Sequence, residues 1–167
     1  MDQPNTLGTG GIETLTAKSN IEVRKIDFDT LLLDGFKLFD QHCVEVEGRM
    51  FEPDLPRYAY LESKGMMLTL GAYCDNQMVG YSTCLFYRHG HHDTLMAVND
   101  SLYVIPNFGK GVGMLLIRQT EKHTKKFGVD CMLWSAKPGS VLDLILSARR
   151  ICNHETNNYR VDFNHHG

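Results

Sequence analysis

Three closely spaced glycines lie between a strand-like run and a helix-like run, an arrangement that can bind a phosphate. Residues 103–105 are β-branched or aromatic, Pro106 ends the run, and Gly109, Gly111 and Gly113 lead into an amphipathic segment. Such a junction points backbone N–H groups, and the positive end of a helix dipole, at an anion above the loop. Glycine suits this loop because a Cβ would block close approach or a positive φ.

The glycine spacing argues against two other phosphate-binding motifs. The chain has G-x-G-x-G here, whereas the dinucleotide-binding fingerprint is G-x-G-x-x-G, and no Lys-Ser or Lys-Thr pair follows a glycine as in a P-loop. The strands before the loop also carry turn signals that predict antiparallel hairpins, which differ from a parallel nucleotide-binding sheet.

Composition indicates a globular domain without a strong preference for polyanions. The 167 residues carry 17 basic and 20 acidic side chains, a net charge of −3, so no global basic field favours nucleic acid or a membrane surface. Five scattered cysteines without a C-x-x-C pair predict reduced thiols and a cytoplasmic location. Three histidines lie in the HGHHD segment at 89–93, which favours a solvated turn, and no metal site is predicted.

The elements that must position the loop can be read from hydrophobic periodicity. We expect a flexible arm over 1–20 and one domain over 21–167, with an α/β (α+β) element order of β-α-α-β-β-β-α-β-α-β. Asp29 is predicted to cap the first helix, followed by an irregular connection over 41–56 and a helix over 55–64. The remaining expectations are strands at 68–73, 78–87, 94–104, 129–135 and 159–163, and helices after Gly111 and Ser140.

This order and loop resemble the GNAT superfamily of N-acetyltransferases. The matching residues are Val104-Ile105-Pro106 followed by Gly109-Lys110-Gly111-Val112-Gly113, against a family form of V-x-P and then R-G-x-G-x-G/A. Val79-Gly80 also stands where the family often has Val-Gly in its third strand. The resemblance covers residues 20 to 163, extends to phage-encoded members, and implies a mixed, mostly antiparallel sheet flanked by helices.

The resemblance implies a site for acetyl-CoA between splayed fourth and fifth strands. The backbone of Leu102, Tyr103 and Val104 would pair with the pantetheine amides, and an N–H near Val104 would polarise the thioester carbonyl. The pyrophosphate would accept from the loop residues, which are Phe108, Gly109, Lys110, Gly111, Val112 and Gly113.

A general base is then expected on the fourth strand, within reach of the acceptor amine. Asp100 and Asn99 are the predicted catalytic residues, because Asp100 is the carboxylate available on that strand. His91 and His92 are second choices, since imidazole titrates near neutrality. The structural alternative for Asp100 is an ordinary carboxylate at a bulge or strand edge.

The acceptor is expected beside the connection after the first helix. Glu45, Glu47 and Phe51, with Glu52 and Asp54 nearby, would make an acidic and partly apolar lip. Such a lip suits a cationic amine, either a lysine side chain, a polyamine or an aminoglycoside-like molecule. The alternative is a solvated acidic loop.

Two departures from the family pattern support a second hypothesis. Phe108 occupies the position of the family arginine, and the last helix lacks the family tyrosine. A catalytically degenerate domain that binds a protein partner, host-directed or virion-associated in a phage, is therefore the alternative to acetyl transfer. The expected partners are an amine-bearing small molecule or protein, with no nucleic acid, no membrane and a possible homodimer.

Overall fold

The computed structural model describes residues 20–48, 50–91, 93–106, 108 and 111–154. In chain order the elements are β1 (Ile21–Ile26), α1 (Phe28–Glu47), α2 (Leu55–Ser63), β2 (Met67–Cys74), β3 (Gln77–Arg88), β4 (Leu95–Val104), α3 (Val112–Phe127), β5 (Cys131–Leu133) and α4 (Val141–Ser147). The predicted arm, apart from Asn20, and the strand predicted at 159–163 lie outside the described residues.

The strands form one mixed sheet in the order β1-β2-β3-β4-β5. The first three pairings are antiparallel, and β5 is parallel to β4 because α3 serves as a crossover between them. The prediction of a mostly antiparallel sheet flanked by helices is confirmed. The Asp75-Asn76 turn is also observed, with both residues at positive φ (48° and 64°) as a tight hairpin requires.

Two hydrophobic clusters accompany the sheet. One is mainly aliphatic and includes α3, with Leu70, Val79 and Leu116 fully or nearly fully buried. The other is rich in aromatic side chains from α1 and the sheet, including Phe39 and Tyr81. Their difference in composition matters for the site, because the aromatic cluster brings hydroxyl groups into the interior.

Among the described residues, Thr69 is the one whose buried side-chain polar atom makes no hydrogen bond. Its side chain is 2% exposed, and its hydroxyl oxygen has no hydrogen-bond partner among the described residues. It pairs across β2 and β3 with Thr83, whose hydroxyl is bonded. Of these two neighbouring threonines on β2 and β3, the Thr83 hydroxyl is therefore hydrogen-bonded and the Thr69 hydroxyl has no partner among the described residues.

The first helix is longer than predicted at both ends. Asp27, rather than Asp29, caps it, since the Asp27 carboxylate accepts from Thr30 N at 2.7 Å. The segment predicted to be irregular continues as helix to Glu47, with His42 half-buried and Val44 exposed. Gly48 at φ 70° ends it.

The C-terminal part of the described chain is held by a partly buried ion pair. Arg149 binds both carboxylate oxygens of Glu121 in α3, at 2.6 and 2.7 Å, and Trp134 Nε1 donates to the same carboxylate at 3.3 Å. Ser140 caps α4 as predicted. Within the described part of the chain, no helix has the length and apolarity needed to cross a membrane.

Candidate active site

The parallel pair β4–β5 is short, which leaves an opening in the sheet. Residues Met96 to Val98 pair with Cys131 to Leu133, and β4 then continues to Val104 with β3 as its partner strand. The predicted strand at 129–135 is therefore shortened to three residues. Beyond Val98, one edge of β4 has no strand beside it in the described structure.

Two amides of β4 point towards this open edge. Ile105 N donates to Val79 O at 3.0 Å, so the Ile105 amide faces β3. Backbone groups alternate in direction along a strand, and the amides of Leu102 and Val104 therefore face the opening. These are two of the three β4 residues predicted to pair with an extended amide-bearing ligand.

The α3 N-terminus borders the same opening. Gly111 adopts φ 115°, which favours glycine, and α3 has no side-chain cap. The first helical bond runs from Leu115 N to Gly111 O at 2.8 Å, so the amides of the first turn lack intrahelical partners. A Cβ on Gly113 would lie 3.9 Å from Val104 Cγ2, which places this turn against the end of β4.

Phe108 does not fit the predicted loop contact. Its N–H donates to Ile105 O at 3.1 Å, and its half-buried ring packs against the aliphatic cluster. The amide is therefore engaged in a turn, and the side chain fills the core under the loop. Gly109 and Lys110 lie outside the described residues.

Asp100 lies at a β-bulge. The β3–β4 register passes from Thr83↔Ser101 to Cys84↔Asn99 and leaves Asp100 without a Cα partner. A bulge turns two successive side chains towards one face. Both Asp100 and Ser101 accordingly reach Thr83, and this irregularity places the carboxylate beside the cavity described below.

The Asp100 carboxylate is held by two hydroxyl groups. Tyr58 of α2 donates to Asp100 Oδ2 at 2.9 Å, and Thr83 donates to the same oxygen at 3.1 Å. Burial, followed by the negative charge of Asp100, raises the pKa of Tyr58 well above its usual range. Tyr58 and Thr83 had no local sequence signal, because they are 42 and 17 residues from Asp100.

The structure gives Asn99, one of the two predicted catalytic residues, a structural hydrogen bond. It is buried, and its side-chain oxygen accepts from Ser135 N at 2.5 Å. This bond crosses the gap between β4 and the chain leaving β5, so Asn99 closes the inner end of the opening. The residue positions the two chain segments.

A cavity of about 310 Å³ lies between α1, α2 and β4. Among the described residues, its carboxylates are Glu52, Asp54 and Asp100, and its cation is Arg57. The other lining residues are Cys43, Met50, Phe51, Pro53, Tyr58 and Leu85. The predicted acidic and partly apolar lip is thus represented by Phe51, Glu52 and Asp54.

Of the two glutamates predicted for this lip, Glu45 does not line the cavity, and the Glu47 side chain lies outside the described part of the structure. Glu45 is exposed and accepts from the Tyr103 hydroxyl at 3.1 Å, while nothing is described of the Glu47 side chain. Burial and the neighbouring Glu45 raise the pKa of Tyr103 to about 12. His42 stacks on Tyr103, with ring centroids 5.0 Å apart, and its Nδ1 lies 2.7 Å from the Tyr81 hydroxyl.

The histidine-rich turn is separate from this cavity. His91 is exposed and uses its N–H to donate to His89 Nδ1 at 3.2 Å, and His92 lies outside the described residues. No three His, Cys, Asp or Glu side chains converge as metal ligands within the described ranges.

The sequence model of the Acetyltransferase (GNAT) family matches residues 33–140, which include the opening, the bulge and most of the cavity. The chain belongs to the GNAT family. It is thus an acetyltransferase, and the acetyl donor of its family is acetyl-CoA. A search of curated protein sequences found no significant match.

Solved structures of acetyltransferases share the fold at low sequence identity. An aminoglycoside acetyltransferase from an uncultured soil metagenomic sample, in complex with sisomicin, has a TM-score of 0.68 and 18% identity, covering 85% of this chain and 95% of its own. The ribosomal-protein-alanine N-acetyltransferase of Brucella melitensis biovar Abortus 2308 gives 0.64 and 16%, covering 86% and 99%. AAC(6′)-Iy with a bisubstrate analogue, CoA-S-monomethyl-acetylneamine, gives 0.63 and 16%, with the same coverages.

Proposed function

We propose that the protein transfers an acetyl group from acetyl-CoA to a primary amine, with Asp100 as the general base. The observation that carries this proposal is the position of Asp100. Its carboxylate lines the acceptor cavity at the bulge where β4 leaves its pairing with β5. An amine in the cavity would meet the base beside the open strand edge.

The proposed donor site has two parts. The open edge of β4 over Leu102, Tyr103 and Val104 would hold the pantetheine arm through backbone groups, as an added strand would. The amides of Gly111, Val112 and Gly113 at the start of α3 would hold the pyrophosphate, with Gly109 and Lys110 completing the loop. Acetyl-CoA supplies a thioester, whose leaving group is good without further activation.

The chain's own contribution to the reaction is placement and proton removal. The amine is a nucleophile only in its neutral form, so a proton must pass to a nearby base. Asp100 would accept this proton before the neutral amine attacks. As the new C–N bond forms and the C–S bond breaks, CoA leaves as the thiolate, and the second proton of the nitrogen passes to that thiolate. The Val104 N–H, which faces the opening, would stabilise negative charge on the carbonyl oxygen.

The acceptor is proposed to be cationic in solution. Three carboxylates and one guanidinium of the described residues line the cavity, which favours an ammonium group over an anion. A lysine side chain, a protein N-terminus, a polyamine or an aminoglycoside-like molecule all present such a group. The structurally similar aminoglycoside acetyltransferases are consistent with the aminoglycoside choice.

Thiol release tests the proposal directly. The purified protein is mixed with acetyl-CoA and a panel containing lysine, a lysine peptide, spermidine and sisomicin, and free CoA is measured. We expect Asp100→Asn to lower kcat by about 100-fold, because general base catalysis contributes roughly that much. The dissociation constant for acetyl-CoA should be unchanged. Asp29→Asn, on the exposed first turn of α1, is the control; full activity of Asp100→Asn would remove it as the base.

A second candidate function is a degenerate domain that binds a protein partner. The observation in its favour is Phe108, which occupies the family arginine position and has its amide engaged in a turn. A thermal shift with acetyl-CoA separates the two hypotheses, since a ligand that binds only the folded state raises Tm. An unchanged Tm at millimolar acetyl-CoA would favour the binding module. In that hypothesis the protein comes from a phage and binds a host or virion protein.

Cytoplasmic location and a homodimer remain proposals as well. None of the five cysteines, all of which lie within the described residues, forms a disulfide, which is consistent with a reducing compartment.

A further inference from the structure

The two hydrogen bonds to Asp100 are unequally shared between its oxygens. Tyr58 and Thr83 both donate to Oδ2, at 2.9 and 3.1 Å. No hydrogen bond to Oδ1 is present in the described structure. The two oxygens of the proposed base are therefore chemically distinct, because two donors reduce the basicity of the oxygen they occupy.

The direction of donation is fixed on the Thr83 side. A threonine hydroxyl has one proton, and Thr83 gives it to Asp100. In the 2.6 Å contact between the Thr83 and Ser101 hydroxyls, Ser101 must then be the donor. A short chain of hydroxyls thus runs from Ser101 through Thr83 to the carboxylate, and all of it lies within the β3–β4 pair.

The Tyr58 side comes from a different element. The Tyr58 ring stacks on Phe28, with centroids 4.5 Å apart and planes at 18°, which fixes the ring. A tyrosine hydroxyl is protonated at neutral pH, and burial raises the pKa of Tyr58 further, so Tyr58 can donate to Asp100 there. Tyr58 and its neighbour Arg57 both line the acceptor cavity.

We infer that Tyr58 is a positioning residue that fixes the Asp100 carboxylate with Oδ2 occupied and Oδ1 available to take the amine proton. The inference rests on the proposed function of Asp100. Without the Tyr58 hydroxyl, the carboxylate keeps one donor from β3 and gains freedom to rotate. Its ionised form also loses a stabilising hydrogen bond.

The test is Tyr58→Phe, which keeps the ring and its stacking on Phe28. We expect kcat to fall about tenfold, the effect of losing one hydrogen bond to a charged group. The KM for acetyl-CoA should not change, and the acidic limb of the kcat profile should move to higher pH. Tyr60→Phe is the matched control, since Tyr60 is on the same helix, is 59% exposed and does not line the cavity.

A second pair of variants keeps the test valid if Tyr58→Phe folds poorly. Thr83→Ser retains the other donor to Oδ2, and Thr83→Val removes it. The same shift of the acidic limb is expected for Thr83→Val, while Thr83→Ser should restore the wild-type limb.

The outcomes separate the two levels of proposal. A wild-type protein that binds acetyl-CoA and acetylates none of the amines contradicts the proposed function, and the inference falls with it. An active wild type whose Tyr58→Phe variant keeps both kcat and the pH profile overturns the inference alone. Loss of rate with an unmoved acidic limb and a lowered Tm would show that Tyr58 acts on stability only, which also overturns it.

Discussion

Gly80 controls the contact between the two strands that build the site. A Cβ at this position would lie 2.8 Å from Tyr103 O, which is backbone, and 3.0 Å from Val104 Cγ2. The backbone oxygen cannot move without displacing β4. The absence of a side chain at Gly80 therefore sets the position of the β4 edge proposed to bind the donor.

Gly80→Ala is expected to destabilise the protein by about 1–3 kcal/mol, the usual range for overpacking a core. The affinity for acetyl-CoA should fall as β4 is displaced. Gly90→Ala is the control, because Gly90 has open space around its ideal Cβ and no positive φ. Urea denaturation and calorimetry measure the two effects, and equal stability of both variants would contradict the prediction.

Residues of the candidate site could be predicted only where a recognisable element pointed to them. Asp100 was predicted because it stands on the strand that leads to the glycine loop, and Phe51 because it follows the first helix. Tyr58 and Thr83 could not be predicted from the sequence. The packing of α2 brings Tyr58 to Asp100, and the β-bulge brings Thr83 to it. Neither event leaves a local pattern in the chain.

At the scale of elements, the junction of β4 and α3 has two glycines with different constraints. Gly111 needs its positive φ, whereas Gly113 is helical and has room for a Cβ within the protein. If glycine is required at position 113 only because the ligand comes close to it, a substitution there should change ligand binding and leave stability unchanged.

We expect Gly113→Ala to keep the wild-type Tm and to weaken acetyl-CoA binding by about tenfold, since a Cβ would obstruct the phosphate. Gly111→Ala should lower both stability, by about 1 kcal/mol, and affinity, because its backbone conformation is strained for alanine. Thermal unfolding with and without acetyl-CoA distinguishes them. Unchanged affinity in both variants would contradict the proposed cradle.

The elements themselves were predicted well where hydrophobic periodicity was regular. The hairpins and α3 agree with their patterns, and the first helix differs at both ends. In its last turns the apolar side chains of Val44 and Val46 are exposed, while the polar His42 is half-buried. An amphipathic helix would show the reverse, so hydrophobic periodicity did not predict these turns. His42 contacts Tyr81 and Tyr103 of the sheet, and these contacts support the helical conformation of the last turns of α1. The sequence around His42 does not indicate them, because the two tyrosines are far away along the chain.

At the scale of the whole molecule, four tyrosines tie the helices to the sheet through their hydroxyls. Burial raises the pKa values of Tyr58, Tyr73, Tyr81 and Tyr103, that of Tyr103 to about 12. A raised pKa means that the folded state favours the neutral phenol. The stability contributed is complete below the ordinary value of 10 and is lost as pH rises through the folded value.

Alkaline conditions should therefore unfold the protein cooperatively. We expect the urea midpoint to be steady from about pH 8 to 9 and to fall progressively above about pH 10, with tyrosinate absorbance rising during unfolding. Measurement of both signals on the same samples tests this. Ionisation of these tyrosines well before any loss of structure would contradict it.

The Thr69 hydroxyl, which has no hydrogen-bond partner in the part of the chain that the structure describes, offers a route to a more stable protein. Valine has nearly the same shape, and replacing a buried, unsatisfied oxygen with a methyl group removes a desolvation cost of about 1–3 kcal/mol. Thr69→Val should raise the melting temperature, whereas the same change at its cross-strand partner Thr83 should lower it. The stabilised Thr69→Val variant would tolerate the destabilising substitutions that are needed to test the candidate active site.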